Sequence, residues 1–427
     1  MTENKPVLDR SVAPPTTPFS RITLPAESVE TLANGIEFHV FNTGEQPISR
    51  LSLLWEGGTY DAANEVIPAI VVEAMRASTA GMSGAEIDDA IDFNGGRLSG
   101  RASDHYSGLE LISLNSRMAD LLPVVGEIAT RADFPETVVN VPLRKFSSSR
   151  ALQLSKVSFR AVQRARCAMF GAGHPAARLA MPDDYLAVTR DDVARGYELM
   201  CRARKHAFLG GSFDESTVGQ VRSFLESLPP SHESTIRIVP YAPEAPGRHF
   251  EHMPDAKQAA VSMTLPTIGR EHPDYIALRL AIMALGGYFG SRLMSNIREE
   301  KGLTYGINAA LLGNREGAYM EIDAQCDSAN VEQVVEETRK EILALRTNPP
   351  RDGELNRLRL NAWSSLASAT DSSFGILDHY ITRLLVGTPP DYFQAQLDVL
   401  DTLTSERIAE VAARYIDPDV LTIAVCG

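Results

Sequence analysis

The chain has 427 residues, 44% of them hydrophobic and 22% charged, an ordinary globular balance in a length that suggests two or more domains. Its formal net charge of −14 speaks against nucleic acid or an anionic membrane as a partner, and no run approaches the ~18 apolar residues of a membrane span. Four cysteines (Cys167, Cys201, Cys326, Cys426) lack the spacing of a zinc ribbon or a disulfide framework, and the opening MTENKPVLDR has no basic-then-apolar signal, so a cytoplasmic location is expected.

Residues 1–30 are polar and proline-bearing and read as an extended arm. A turn at Asn34-Gly35 leads into an alternating strand at 36–41, and a second strand at 50–55 ends at Glu56-Gly57-Gly58. Residues 83–93 read as a helix opened by the capping pair Ser83 and Glu86. Asn94-Gly95-Gly96 then turns into strands at 97–103 and 106–114. Helices are expected at 118–132, with Pro123 in the first turn, over one long stretch from 138 to about 172, and at 189–200; residues 206–211 form a closing strand. The Pro, Ser and His content of residues 227–251 marks a linker between an N-terminal domain, 31–226, and a C-terminal domain, 252–427. Beyond it the same order of elements returns, which points to an internal duplication. Strands in hairpins and helices in clusters favour an α+β fold with antiparallel sheets.

Residues 285–309, LGGYFGSRLMSNIREEKGLTYGINA, organise the second half. Phe289, Leu293 and Ile297 recur at helical spacing, Lys301-Gly302 is a helix stop, and a strand follows from Leu303. Arg298 therefore stands at a helix end and Tyr305 just inside a strand, where a tight turn would point both into one cleft. On periodicity alone the plainer reading is an arginine paired with a carboxylate and an ordinary strand aromatic.

The segment resembles the signature GGxxxSRLxxxIREKxGLxYxx of the pitrilysin/insulinase family of zinc peptidases, and the resemblance extends over nearly the whole chain. It implies two homologous halves, each a sheet of about six strands backed by helices, that together make half of a clamshell. In that family the arginine and tyrosine of this segment bind peptide, roles that fall on Arg298 and Tyr305. The family's zinc helix, HxxEH, falls on residues 68–75. Aligned on Glu73, the two ligand positions are Ile70 and Ala74, and neither can bind a metal. The third ligand is a downstream glutamate, and the equivalent residues 143–156 contain no acid. No metal and no cofactor are therefore expected in this chain, and Glu73 reads as a helix carboxylate paired with a local base. The strand that accepts peptide by edge addition in active relatives corresponds to Leu98, Ser99 and Gly100. His174, in a Gly-His-Pro loop shared with the family, reads as structural.

The resemblance also implies a partner. Short members pair, and in some pairs only one subunit holds zinc. The expectation is a non-catalytic subunit of a heterodimeric zinc peptidase, with zinc in an HxxEH-bearing partner, an unfolded peptide as substrate, and a homodimer possible when the chain is alone. A peptide-binding or scaffold protein of the same fold is the alternative. Neither GxSxG nor GxxxxGK[ST] occurs, and Cys167 and Cys201 read as structural thiols despite basic neighbours.

Overall fold

The computed structural model describes residues 10–12, 22–233 and 236–427. The first half runs β1 (Ser28–Thr31), β2 (Glu37–Asn42), β3 (Ile48–Glu56), α1 (Ile67–Ala74), α2 (Gly84–Phe93), β4 (Arg97–Ala102), β5 (Tyr106–Leu114), α3 (Asn115–Arg131), α4 (Glu136–Leu154), α5 (Val157–Phe170), α6 (Pro182–Leu186), α7 (Arg190–Arg202), β6 (Lys205–Gly211) and α8 (Glu215–Ser227). The second runs β7 (Arg248–Glu251), β8 (Ala259–Thr267), α9 (Tyr275–Gly286), a π-helix at Met294–Glu300, β9 (Thr304–Gly313), β10 (Ala318–Cys326), α10 (Val331–Thr347), α11 (Asp352–Ala369), α12 (Ser373–Val386), α13 (Tyr392–Thr402), α14 (Ser405–Tyr415) and β11 (Thr422–Cys426).

The fold is α+β, with a six-stranded sheet ordered β1-β2-β6-β3-β5-β4 and a five-stranded sheet ordered β7-β11-β8-β10-β9. The second order is the first with β1 removed, strand for strand in chain order. Asn115, Glu136 and Val157 open three successive helices of the first half; Val331, Asp352 and Ser373 open their counterparts at one constant spacing. The duplication read from element order is thus a duplication of topology. The sheets are mixed rather than antiparallel throughout, which corrects the expectation. In each, the strand that closes the half returns parallel to the half's entering strand, β6 beside β2 and β11 beside β7.

Each sheet buries one face under its own helices. Leu51, Leu53 and Trp55 of β3 pack with α1, α3, α7 and α8 in one core, and Val261, Met263 and Leu265 of β8 pack with α9, α10 and α14 in the other. The opposite faces are covered by an exchange of helices. α12 of the second half lays Ile376, Leu377, Tyr380 and Ile381 on Phe41, Leu54 and Phe208 of the first sheet. α5 of the first half places Ala161 against Ala260 and Cys426 of the second. The two sheets are therefore not independent bodies, since each completes the other's second face.

Several expected boundaries move. The arm read at 1–30 lies outside the described residues over 1–9 and 13–21; at its end, β1 pairs with β2 in register Ser28↔Val40. β5 passes straight into α3 at Asn115, so Pro123 is interior to that helix and not in its first turn. The stretch 138–172 is two helices, because Lys156 is extended and Arg160 donates to the Leu154 carbonyl at 2.6 Å, sealing the break that lets α5 cross to the second sheet. Within 227–251, residues Arg248–Glu251 are strand β7 of the second sheet. Among the described residues no helix is long and apolar enough to cross a membrane.

Candidate functional site

α1 is a short helix in the first-half core, started by Pro68 near its first turn and packed against α4, α7 and the strand β4. Ile70 and Ala74 are fully buried in that core and present hydrocarbon alone. Glu73, one turn after Ile70 and next to Ala74, turns toward α4. Its carboxylate binds Arg76 of the same helix at 2.6 Å and, on the other oxygen, Lys145. Burial works to raise the Glu73 pKa, but the Lys145 and Arg76 cations outweigh it and hold the carboxyl below its ordinary range. The expected local base is thus a pair of bases. Lys145 belongs to the acid-free segment 143–156, where the resemblance would place the third ligand. The sequence marked what is missing there and not what replaces it.

The strand β4 is one of the two edges of the first sheet among the described residues. Leu98, Ser99 and Gly100 lie in its middle, half-buried, in register with Leu111, Glu110 and Leu109 of β5. α1 approaches so closely that a Cβ on Gly100 would sit 2.4 Å from Val72 Cγ1, so this position needs glycine for packing. Arg76 spans the gap: its guanidinium donates to the Leu98 carbonyl at 3.4 Å as well as to Glu73. One backbone acceptor of the edge is therefore already engaged by a side chain.

The second-half segment has another character. The helix after α9 is a π-helix, in which Lys301 N–H reaches the Asn296 carbonyl at 3.1 Å, and Gly302 ends it in the left-handed conformation at φ +63°. β9 starts with a bulge. Thr304 pairs with Cys326 and Ile307 with Ala324, which leaves Tyr305 and Gly306 against the single residue Gln325. The Thr304 hydroxyl fixes it, accepting from Gly306 N–H at 3.1 Å and donating to the Gln325 carbonyl. The bulge turns Tyr305 outward to 89% exposure.

The cations of this segment divide cleanly. Arg292 is held by Glu354 at 2.7 Å, and Lys301 by Glu337 at 2.8 Å, which with Lys340 keeps the Glu337 carboxyl down at about 2. Arg298 has no ion pair among the described residues. Its guanidinium rests over the Phe289 ring, 4.9 Å from the centroid, and Phe289 is itself 62% exposed. Tyr305 lines a cleft of about 390 Å³ between α5 and the second sheet, with Ser158, Val162, Asp323 and Gln325. Arg298 does not line it, so the expected single cleft for both side chains is not formed. Burial pushes the carboxyls of Asp323 and neighbouring Glu321 up, Glu321 to about 7. His174 caps the short turn at Pro175 and bonds the Val239 carbonyl at 2.7 Å, a structural place. Cys167 and Cys201 have their thiols pushed up by burial, unlike nucleophiles.

Comparison with known proteins fits this division. Residues 188–361 match the family described as the peptidase M16 inactive domain. That stretch is similar to an M16 inactive domain. It contains Arg298 and Tyr305 and leaves out α1 with its degenerate positions. The M16 relationship extends further at low identity. An uncharacterized zinc protease of Streptomyces coelicolor is 24% identical over 358 residues, 78% of this chain and 71% of that protein. The crystal structure of a peptidase M16 inactive domain from Pseudomonas fluorescens superposes with a TM-score of 0.85 at 19% identity, over 94% of this chain and 98% of that one. A protease from Helicobacter pylori superposes at 0.81 with 16% identity, over 95% and 100%. The resemblance read from residues 285–309 is borne out by the match of residues 188–361 to the M16 inactive domain.

Proposed function

We propose that this chain is the non-catalytic subunit of a heterodimeric zinc metallopeptidase and completes the site of an HxxEH-bearing partner. The partner's zinc and glutamate supply the activated water. Tyr305 donates a hydrogen bond to the scissile carbonyl as it becomes an oxyanion, a contribution of about 3 kcal/mol for a preorganised donor. Arg298 holds a backbone carbonyl or a carboxylate of the unfolded peptide with its planar fork of donors. The edge at Leu98 to Gly100 guides the chain through main-chain hydrogen bonds once Arg76 yields the Leu98 carbonyl.

The observation that carries this reading is the unpaired Arg298. Its neighbours Arg292 and Lys301 are bound to carboxylates, while Arg298 is half-buried over a ring and Tyr305 is exposed at the surface. A scaffold has no use for an exposed tyrosine on a hydroxyl-fixed bulge and, in the same segment, a guanidinium without an ion pair among the described residues. The test is cleavage of a quenched peptide library by the chain alone, by a short HxxEH relative alone, and by the mixture. The expected result is activity in the mixture that falls with Arg298→Ala and with Tyr305→Phe. Cleavage by the isolated chain, or a mixture indifferent to both substitutions, would overturn the proposal.

A further inference from the structure

The sheet face under α12 carries a second constellation, remote in sequence from the degenerate zinc helix. β2 and β6 run parallel with Glu37 opposite His206 and His39 opposite Phe208. Residues in register on adjacent strands share a face, as do residues two apart on one strand, so Glu37, His39 and His206 project together. One ligand atom from each lies within 4.8 Å of the other two.

The surroundings of these side chains are those of metal ligands. His39 and His206 are buried, at 8% and 2% exposure. The Nδ1 of His39 is bonded to Glu27, whose other oxygen is held by Arg383 of α12. Its Nε2 is buried without a hydrogen-bond partner among the described residues, an unfavourable state for a polar atom. The ring is clamped by a stack on Phe208, centroids 4.3 Å apart and 13° from parallel. His206 directs Nε2 to Glu56 at 3.1 Å and Nδ1 to Glu37 at 2.9 Å, while Arg204 holds the other oxygen of Glu37. Each histidine thus has one nitrogen fixed by an outer carboxylate; the other is bonded to Glu37 in His206 and left without a partner in His39. Ligating histidines in proteins are oriented in this way, by an outer carboxylate on the nitrogen that does not touch the metal.

We propose that His39 Nε2, His206 Nδ1 and the Glu37 carboxylate form a binding site for a divalent transition-metal ion of the zinc type. Two imidazoles and one carboxylate suit that class, and bond lengths of about 2.0–2.2 Å set tetrahedral donors roughly 3.4 Å apart, within reach of the present spacing by small side-chain shifts. The fourth position opens on the side of Glu37, whose side chain is 28% exposed. The ion ties strand β2 to the closing strand β6 of the same sheet, beneath the helix exchanged from the other half, so its role is to fasten the first half's closing strand. This places a metal in the chain itself, apart from the zinc assigned to the partner.

The test uses the full chain, stripped by a chelator and titrated with Co²⁺ and then Zn²⁺. The expected result is one equivalent of Co²⁺ with the visible absorption of a four-coordinate nitrogen and oxygen site, displaced by Zn²⁺. His39→Gln and His206→Gln should each weaken binding at least tenfold, Glu27→Gln roughly tenfold through the outer carboxylate, and Glu73→Gln not at all. Absence of saturable binding in the unaltered chain overturns the proposal without recourse to any variant. Binding unchanged in both histidine variants, with folding verified by circular dichroism, overturns it equally.

Discussion

The two halves share one topology and treat the same stretch of it differently. In the first, the helix after β3 is sealed: Ile70 and Ala74 are core, and Glu73 is locked between Arg76 and Lys145. In the second, the segment between α9 and β9 is left open, with Arg298 unpaired over an exposed ring and Tyr305 turned to solvent by a bulge. A carboxylate held by two cations is spent on structure. A guanidinium without a carboxylate, next to others that have one, remains available to a ligand. On the proposed function, the difference assigns the chemistry to the second half, which lends groups, and leaves the first to hold shape.

The largest effect should come from the open half. In a mixture with an HxxEH partner, Tyr305→Phe should lower the cleavage rate about 10²–10³-fold, the range for loss of one oxyanion donor. Stability should hardly change, because an 89% exposed hydroxyl with no structural bond contributes little to the fold. Denaturant unfolding of the variant checks that half of the statement. A loss of activity accompanied by a matching loss of stability would make Tyr305 structural and erase the contrast.

The sealed half should answer in the opposite way. Ile70→Ala empties a fully buried position and should cost roughly 2–5 kcal/mol of stability, read as a shift of the urea midpoint. A cost well below that range would mean the helix position is loosely packed and could still have admitted a ligand.

The seam between the halves gives a third, pH-dependent effect. His105 at the β4–β5 turn lies between Asp61 at 3.1 Å and Glu316, which follows β9 in the second half. Burial alone would lower the His105 pKa; the hydrogen bonds to Asp61 and Glu316 outweigh it and raise it to about 9. A raised histidine contributes stability in full below its unfolded value near 6.5 and loses it as pH climbs through 9, a change of up to about 3 kcal/mol. Unfolding curves from pH 6 to 10 should show that decline, and His105→Gln should flatten it. An unaltered slope would mean that the ion pair does not hold the seam.

How much of this was legible in the sequence follows from the range over which each feature is encoded. The Ser83 and Thr189 caps, the Gly302 stop and the paired edge strand at 97–102 are local, and their signals are complete within a few residues. The parallel returns of β6 and β11 join strands far apart in the chain, and hairpin patterns carry no trace of them. The break at Lys156 was hidden because Arg, Ser and Gln continue helical composition across it; only a side-chain bond to Leu154 marks the end. At the candidate site, Arg298 and Tyr305 were visible as a motif, yet the bulge that aims Tyr305 depends on Gln325 of the next strand. The role of Lys145 is visible only when α4 is packed on α1. His39 and His206 are 167 positions apart in number and meet through strand pairing alone.

The smallest effect is the most exacting check on the sealed half. Glu73 falls on the glutamate of the motif that the resemblance implies, so its replacement separates a structural carboxylate from a working base. Its partner Lys145 is 62% exposed, and exposed pairs contribute about 0–1 kcal/mol, so Glu73→Gln should cost less than about 1 kcal/mol and less still at high salt. The same substitution should leave the cleavage rate of the mixture within twofold or so, since no metal ligand flanks Glu73 and two cations hold its charge. It does free Arg76, which also binds the Leu98 carbonyl. If the edge of β4 takes peptide, a loosened Arg76 should change KM while leaving kcat alone. A fall in kcat of tenfold or more with KM unmoved would instead make Glu73 a proton-transfer group, and the first half could no longer be called structural.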